Sequence, residues 1–271
     1  MFPSQLPDAS VVKSTVKASL KGKRIQAAVV SAAVVFAYYS VYMVTGVLSS
    51  FISGGTGIAV IAATVLLLIF LLLPLMFGAI RYFLRLTDGV EDEPLSVFYY
   101  FSSFFRYKRA VKCVFWMIFK CLTAIATCML PFFIVSVLSQ SWFYRFVGAE
   151  IPFWIRNLSL IEAFLKYVGE ISVIAVISRY YLLPAIAIMD DDVLLLEATH
   201  ISVMISRHTV VRFFSLGLSL IGWLAVGLFG FPSIFTLPII LSCYAVHCRY
   251  ALVNYNLSLD SCTENKYDTS I

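Results

Sequence analysis

Arg179–Trp223 reads RYYLLPAIAIMDDDVLLLEATHISVMISRHTVVRFFSLGLSLIGW. An apolar helix ends in the acid cluster Asp190, Asp191, Asp192, an amphipathic segment follows, and a second apolar helix starts near Phe213. In the middle segment Leu194, Ala198, Ile201 and Ile205 fall at i, i+4, i+7 and i+11, one apolar stripe at helical period. Thr199, Ser202, Ser206 and Thr209 form a hydroxyl stripe elsewhere on the turn. Such a helix is expected to lie flat under a bundle, apolar face up. The aspartates then stand at its N-terminal end, where the helix dipole favours them.

The rest of the chain agrees with a membrane setting. It has 271 residues, 61% hydrophobic and 13% charged, with a mean hydropathy of +0.92. Soluble domains carry about a quarter charged residues, and one water-soluble core could not hide this much apolar surface. The expected fold class is all-α, a polytopic transmembrane helical bundle with six spans and cytoplasmic amphipathic interfacial helices. The spans are read at about 25–48, 58–84, 111–138, 160–189, 213–229 and 233–253, set by the roughly 20 apolar residues that cross a bilayer core. Pro74 is expected to kink the second. Residues 1–24 form a basic amphipathic arm, 25–253 the six-span domain and 254–271 a polar tail. In the arm, Val12, Val16 and Leu20 alternate with Lys13, Lys17 and Lys21, which predicts a helix on the membrane surface.

Basic residues fix the expected orientation. The arm, the segments after the second and fourth spans and the C-terminal end hold about fifteen Lys and Arg, and the opposite side about three. Both termini therefore face the cytoplasm, in a multi-pass protein of the cell membrane. The net charge of +5 belongs to this asymmetry, and no soluble basic domain with stacking aromatics points to nucleic acid.

After the second span, Glu91, Asp92 and Glu93 precede Pro94, the lead-in of a helix. Phe98, Phe101 and Phe105 then share a face, with Arg106, Lys108 and Arg109 following. This set suits contact with the bilayer, anionic headgroups above all; packing of the rings on the bundle is the alternative. Within the spans, charged groups cost about 2.5–3.5 kcal/mol each and are suspects by default. Lys120 and Glu170 look deepest and form a candidate intramembrane pair, either a helix clamp or part of a solute path. Glu162 and Lys166 lie nearer an interface.

The six cysteines include no C-x-x-C pair, and most read as packing residues. Cys243 and His247 sit at i, i+4, but no third ligand is evident nearby, so no metal is expected. H-E-x-x-H, G-x-S-x-G and P-loop signatures are missing. No catalytic residue, cofactor or enzymatic activity is expected. The reading is a non-enzymatic membrane protein acting in membrane organisation or assembly; the alternative is a small-solute permease using Lys120 and Glu170. The protein partner or solute is not legible.

Lys17-Ala18-Ser19-Leu20-Lys21-Gly22, the loop from Arg81 to Phe105, Leu196-Glu197-Ala198, Ser202-x-Met204 and Leu218 to Trp223 together resemble the bacterial integral membrane family called domain of unknown function 975. The chain departs from that pattern at Arg207-His208 and in its aspartate run. The resemblance implies a multi-pass helical fold and brings no activity or catalytic residues.

Overall fold

The computed structural model describes residues 7–51, 57–90, 92–139, 159–189, 193–228 and 232–268. All regular structure among them is helical. The order is α1 (Ala9–Ser19), α2 (Arg24–Phe51), α3 (Gly57–Leu67), a π turn (Leu68–Leu72), α4 (Leu73–Thr87), a 3₁₀ helix (Pro94–Phe101) and α5 (Phe104–Ser139). Then come α6 (Ser159–Ile177), a 3₁₀ turn (Ser178–Tyr180), α7 (Leu183–Met189), α8 (Leu195–Ser219), α9 (Ile221–Gly227) and α10 (Ser233–Asp268). Five stretches are long and apolar enough to cross a membrane: Arg24–Val47, Ala62–Thr87, Phe104–Leu138, Ile161–Met189 and Ser233–Tyr255. α8 and α9, bent by 55° about Leu220, make a sixth if they are one broken span. The chain is thus a polytopic helical bundle. The external loop, the aspartate cluster 190–192 and Glu91 lie outside the described residues.

Two compact units divide the chain: Met1–Val114 with Leu182–Ile271, and Phe115–Tyr181. In the first, α4 is the hub, packed against α1, α2, the 3₁₀ helix, α7 and α10. Pro74, Leu75, Phe77, Gly78, Ala79, Tyr82, Phe83, Leu84 and Leu86 are all buried. The closest approach is at Gly78. A Cβ there would stand 1.8 Å from the Val97 carbonyl oxygen, so the 3₁₀ helix lies on α4 only because this position has no side chain.

Pro74 is accommodated by a change of helical pitch. The Leu73 N–H bonds the Leu68 carbonyl, a π-type closure just ahead of the proline. Pro74 has no N–H for the Phe70 carbonyl four residues back, and the Tyr107 hydroxyl donates to that oxygen at 2.9 Å. At its other end α4 closes on Gly89, whose φ of +75° suits glycine. Gly89 N–H bonds Leu86 and Val90 N–H bonds Arg85, the paired pattern of a glycine cap. This leaves Asp88 at the helix end, where it pairs with Arg249 of α10. Asp92 pairs with Arg85 at 3.1 Å. One acid expected in a helix lead-in is therefore spent on tying the loop to α4.

Three expectations need correction. The amphipathic segment and the fifth span are one continuous helix, α8, and its hydroxyl stripe is buried along with Ala198 and Ile205 of the apolar stripe. Ala198, Thr199, Ser202, Ile205, Ser206 and Thr209 are buried, while Leu194 is 72% exposed and Val211 79%. Small side chains let α8 come close to α7 and α10, and the long apolar ones are left for lipid. The Phe-rich helix is likewise two elements, since the 3₁₀ helix stops at Phe101 and α5 starts at Phe104. In the arm, Val12, Val16 and Leu20 are buried against protein rather than spread on a surface, because α1 packs on α10, α8 and α4.

The second unit holds the remainder of α5 and α6. They cross where Gly169 meets Cys128 and Met129: a Cβ at 169 would stand 2.6 Å from the Met129 sulfur and 3.3 Å from the Cys128 carbonyl.

Gly78→Ala should force the 3₁₀ helix off α4 and cost about 1–3 kcal/mol, the range for an overfilled core. Gly217→Ala, with nothing within 4 Å of its Cβ position, should stay within about 0.5 kcal/mol of the parent. Thermal unfolding of the purified variants in one detergent compares the two.

Candidate interfacial site and the intramembrane charges

The 3₁₀ helix rises three residues per turn, so side chains at i and i+3 eclipse. Phe98 and Phe101 accordingly stand together, ring centroids 6.4 Å apart, and both are exposed. Phe105, in the first turn of α5, is 76% exposed. Tyr100 turns the other way and meets Phe77 edge-on at 6.1 Å. The element is therefore two-sided: Val97 and Tyr100 anchor it on α4, and the phenylalanines face out.

Tyr99 sits among cations. The Arg81 guanidinium lies 3.3 Å from its ring centroid and that of Arg106 lies 4.3 Å from it. Arg106 also donates to the Ser102 hydroxyl at 3.1 Å. A ring face attracts a cation by about 0.5–1 kcal/mol at exposed positions, so Tyr99 holds two arginines beside the exposed rings. Lys108 is exposed. Arg109 is half-buried and reaches toward the Val193 carbonyl at 3.5 Å, next to the start of α8. Of the six expected interfacial residues, Phe98, Phe101, Phe105, Arg106 and Lys108 are at the surface, and Arg109 serves the bundle. Sequence reasoning missed Arg81 and Tyr99, because α4, the 3₁₀ helix and α5 each supply one member of the cluster. No spacing along the chain marks such a meeting.

Lys120 and Glu170 are not brought together. The Lys120 ammonium lies 4.8 Å from the centroid of the Trp116 ring, one turn back on its own helix. Glu170 adjoins Gly169, at the crossing with Cys128 and Met129. Cys128 follows Lys120 by eight residues, which places Lys120 about 12 Å along the helix axis from the crossing. Lys166 and Glu170 are exposed and Glu162 is half-buried.

The hydroxyl stripe of α8 is a packing seam. Thr199 donates to the Leu195 carbonyl at 2.6 Å, Ser206 to Val203 at 2.9 Å and Thr209 to Ile205 at 3.1 Å. Each hydroxyl is satisfied by its own helix, as buried polar groups in an apolar medium require. Cys243, His247 and Cys248 are buried, and the His247 ring lies 5.7 Å from that of Phe213. Among the described residues no three His, Cys, Asp or Glu side chains are placed to hold a metal ion. His200 and His208 are exposed.

Comparison with protein-family models, with curated proteins and with solved structures finds no match.

The crossing at Gly169 gives a direct check on the charges. Met129→Cys with Gly169→Cys should form a disulfide on mild oxidation, because close Cβ positions meet the geometry of the bond. Lys120→Cys with Glu170→Cys should not. An oxidised product of the second pair, read on a non-reducing gel after protease cleavage between the two positions, would restore the predicted pair.

Proposed function

We propose that this chain is a non-enzymatic protein of the cell membrane that acts in membrane organisation or assembly, with both termini on the cytoplasmic side. The observation that carries the reading is how little of the second unit's apolar surface is used within the chain. In the α5 stretch only 6% of the most apolar window is buried, against 56% in α10. Phe119, Leu122, Phe133 and Ile134 of α5 are exposed, as are Phe164 and Ile171 of α6. Lipid tails accept such faces at no cost, and so does another membrane helix. The intramembrane charges favour this reading over a permease, since a solute path needs polar groups converging from several helices, and Lys120 stands on Trp116 instead.

The basic end belongs to the same proposal. Phe98, Phe101 and Phe105 enter the interfacial layer while Arg106 and Lys108 meet anionic headgroups, each cation contributing about 1 kcal/mol near a charged surface. The lysine- and arginine-rich side is the cytoplasmic one. Membership in the domain of unknown function 975 family is part of this reading, on the motifs from Lys17 to Trp223, and it brings no activity with it.

A photo-crosslinking residue at Phe133 or Phe164, introduced in cells, should give one discrete protein adduct in stoichiometric yield. At Phe105 it should give lipid adducts. Lipid adducts alone at all three positions, together with solute flux through vesicles containing the purified protein, would replace assembly with transport.

A further inference from the structure

A cleft of about 540 Å³ lies in the first unit between α1, the first turns of α2, the break after α8 and the start of α10. Lys13, Lys17 and Arg24 line it, and among the described residues no acid does. The remaining wall is apolar, with Leu20, Trp223, Phe235 and Ile239 among its members. Its volume falls in the range of ligand pockets, about 300–1,000 Å³.

Two other cavities of this unit differ in kind. One, of about 430 Å³, has Lys21 and Lys23 but also Asp92 and Glu93, so its charges are balanced within the protein. Another, of about 650 Å³ along Leu66, Phe70 and Phe101, has no charged residue. Of the three, the first alone joins unbalanced cations to an apolar wall.

Lys13 has a structural share in this arrangement. Its ammonium donates to the Ser219 carbonyl at 2.8 Å, at the C-terminal end of α8, where carbonyls lack helical partners and the dipole is negative. That bond ties α1 to the break before α9. Lys17 and Arg24 are exposed. Arg24, Ala27 and Ala28 place the positive N-terminal end of α2 on the same cleft. Like charges gathered on one rim repel unless an anion joins them.

We propose that this cleft binds an anionic phospholipid, its phosphate held by Lys17 and Arg24 and an acyl chain laid along Trp223, Phe235 and Ile239. A free anion would leave the apolar wall uncovered, and a neutral lipid would bring no charge to Lys17 and Arg24. Only an amphiphile with a negative head satisfies both halves. The site is formed by α1, α2, α8, α9 and α10 and does not depend on the second unit's apolar faces, so it stands or falls separately from the assembly reading.

The test uses full-length protein in a neutral detergent, titrated with phosphatidylglycerol, phosphatidylcholine or inorganic phosphate, with bound lipid counted by native mass spectrometry and stability followed by thermal unfolding. Phosphatidylglycerol should bind at least about tenfold more tightly than phosphatidylcholine, one cation's worth or more. The double variant Lys17→Gln, Arg24→Gln should weaken phosphatidylglycerol about thirtyfold and leave phosphatidylcholine unchanged. Ile239→Trp, which fills the wall and keeps every charge, should also weaken phosphatidylglycerol, and it decides the matter if the double variant does not fold. Lys166→Gln, which removes an exposed charge that does not line the cleft, should change nothing. Equal affinity for the two lipids, wild-type affinity for phosphatidylglycerol in either cleft variant, or stabilisation by inorganic phosphate as strong as by the lipid would each overturn the proposal.

Discussion

At Gly78 the backbone of Val97 occupies the space that a side chain would take. The first unit depends on that approach. With the 3₁₀ helix seated there, Tyr100 reaches Phe77 and Tyr99 lies under Arg81. The chain then leaves at Ser102 in the direction that lets Tyr107 satisfy the Phe70 carbonyl opposite Pro74. The proline break is thus tolerable because of a contact made by a later helix, and that helix is placed by a glycine within the broken one. A larger residue at position 78 would loosen the 3₁₀ helix, the Tyr99 cluster and the start of α5 at once.

The number and type of helices were legible because they depend on local quantities. A run of about 20 apolar residues needs no knowledge of its neighbours to be recognised as a span. What each helix turns toward its neighbours was not legible in the same way. In α8 the stripe of Leu194, Ala198, Ile201 and Ile205 is only part of the buried face: Ala198 and Ile205 are buried, and so are Thr199, Ser202, Ser206 and Thr209, against the rule that a water-soluble helix turns its polar face outward. In lipid the rule loses its force, because a leucine facing acyl chains is already in an apolar medium. Close packing is then won by Ala198, Ser202 and Ser206, four residues apart, whose small side chains let backbones approach. In the arm the apolar face is the expected one and its partner differs: Val12 and Val16 are buried against protein.

Site residues were legible where one element supplies them and illegible where several do. Phe98 and Phe101 stand together because a single turn separates them, and the sequence carries that spacing. Tyr99 between Arg81 and Arg106 needs three elements to meet, and Lys13, Lys17 and Arg24 become a rim only when α1 folds back on α10. The places of Lys120 and Glu170 were hard to read for a related reason. Charge suggested that they attract one another, but the relative register of α5 and α6 is set by Gly169, an uncharged residue that lets the helices touch at Met129.

α5 is a single helix of 36 residues, Phe104–Ser139, about 54 Å long at 1.5 Å per residue. A hydrocarbon core is about 30 Å thick. Its first turns carry Arg106, Lys108, Arg109 and Lys112 and belong to the interface, and the 27 residues from Cys113 to Ser139 still run for about 40 Å. Such a rod must lean, or draw the surrounding lipid into a thicker annulus. Pro131 lies inside it without ending it, so bending at a break is not the remedy adopted here. A helix of this length leans less in a thick membrane than in a thin one, so the thickness of the surrounding bilayer sets how far α5 has to tilt.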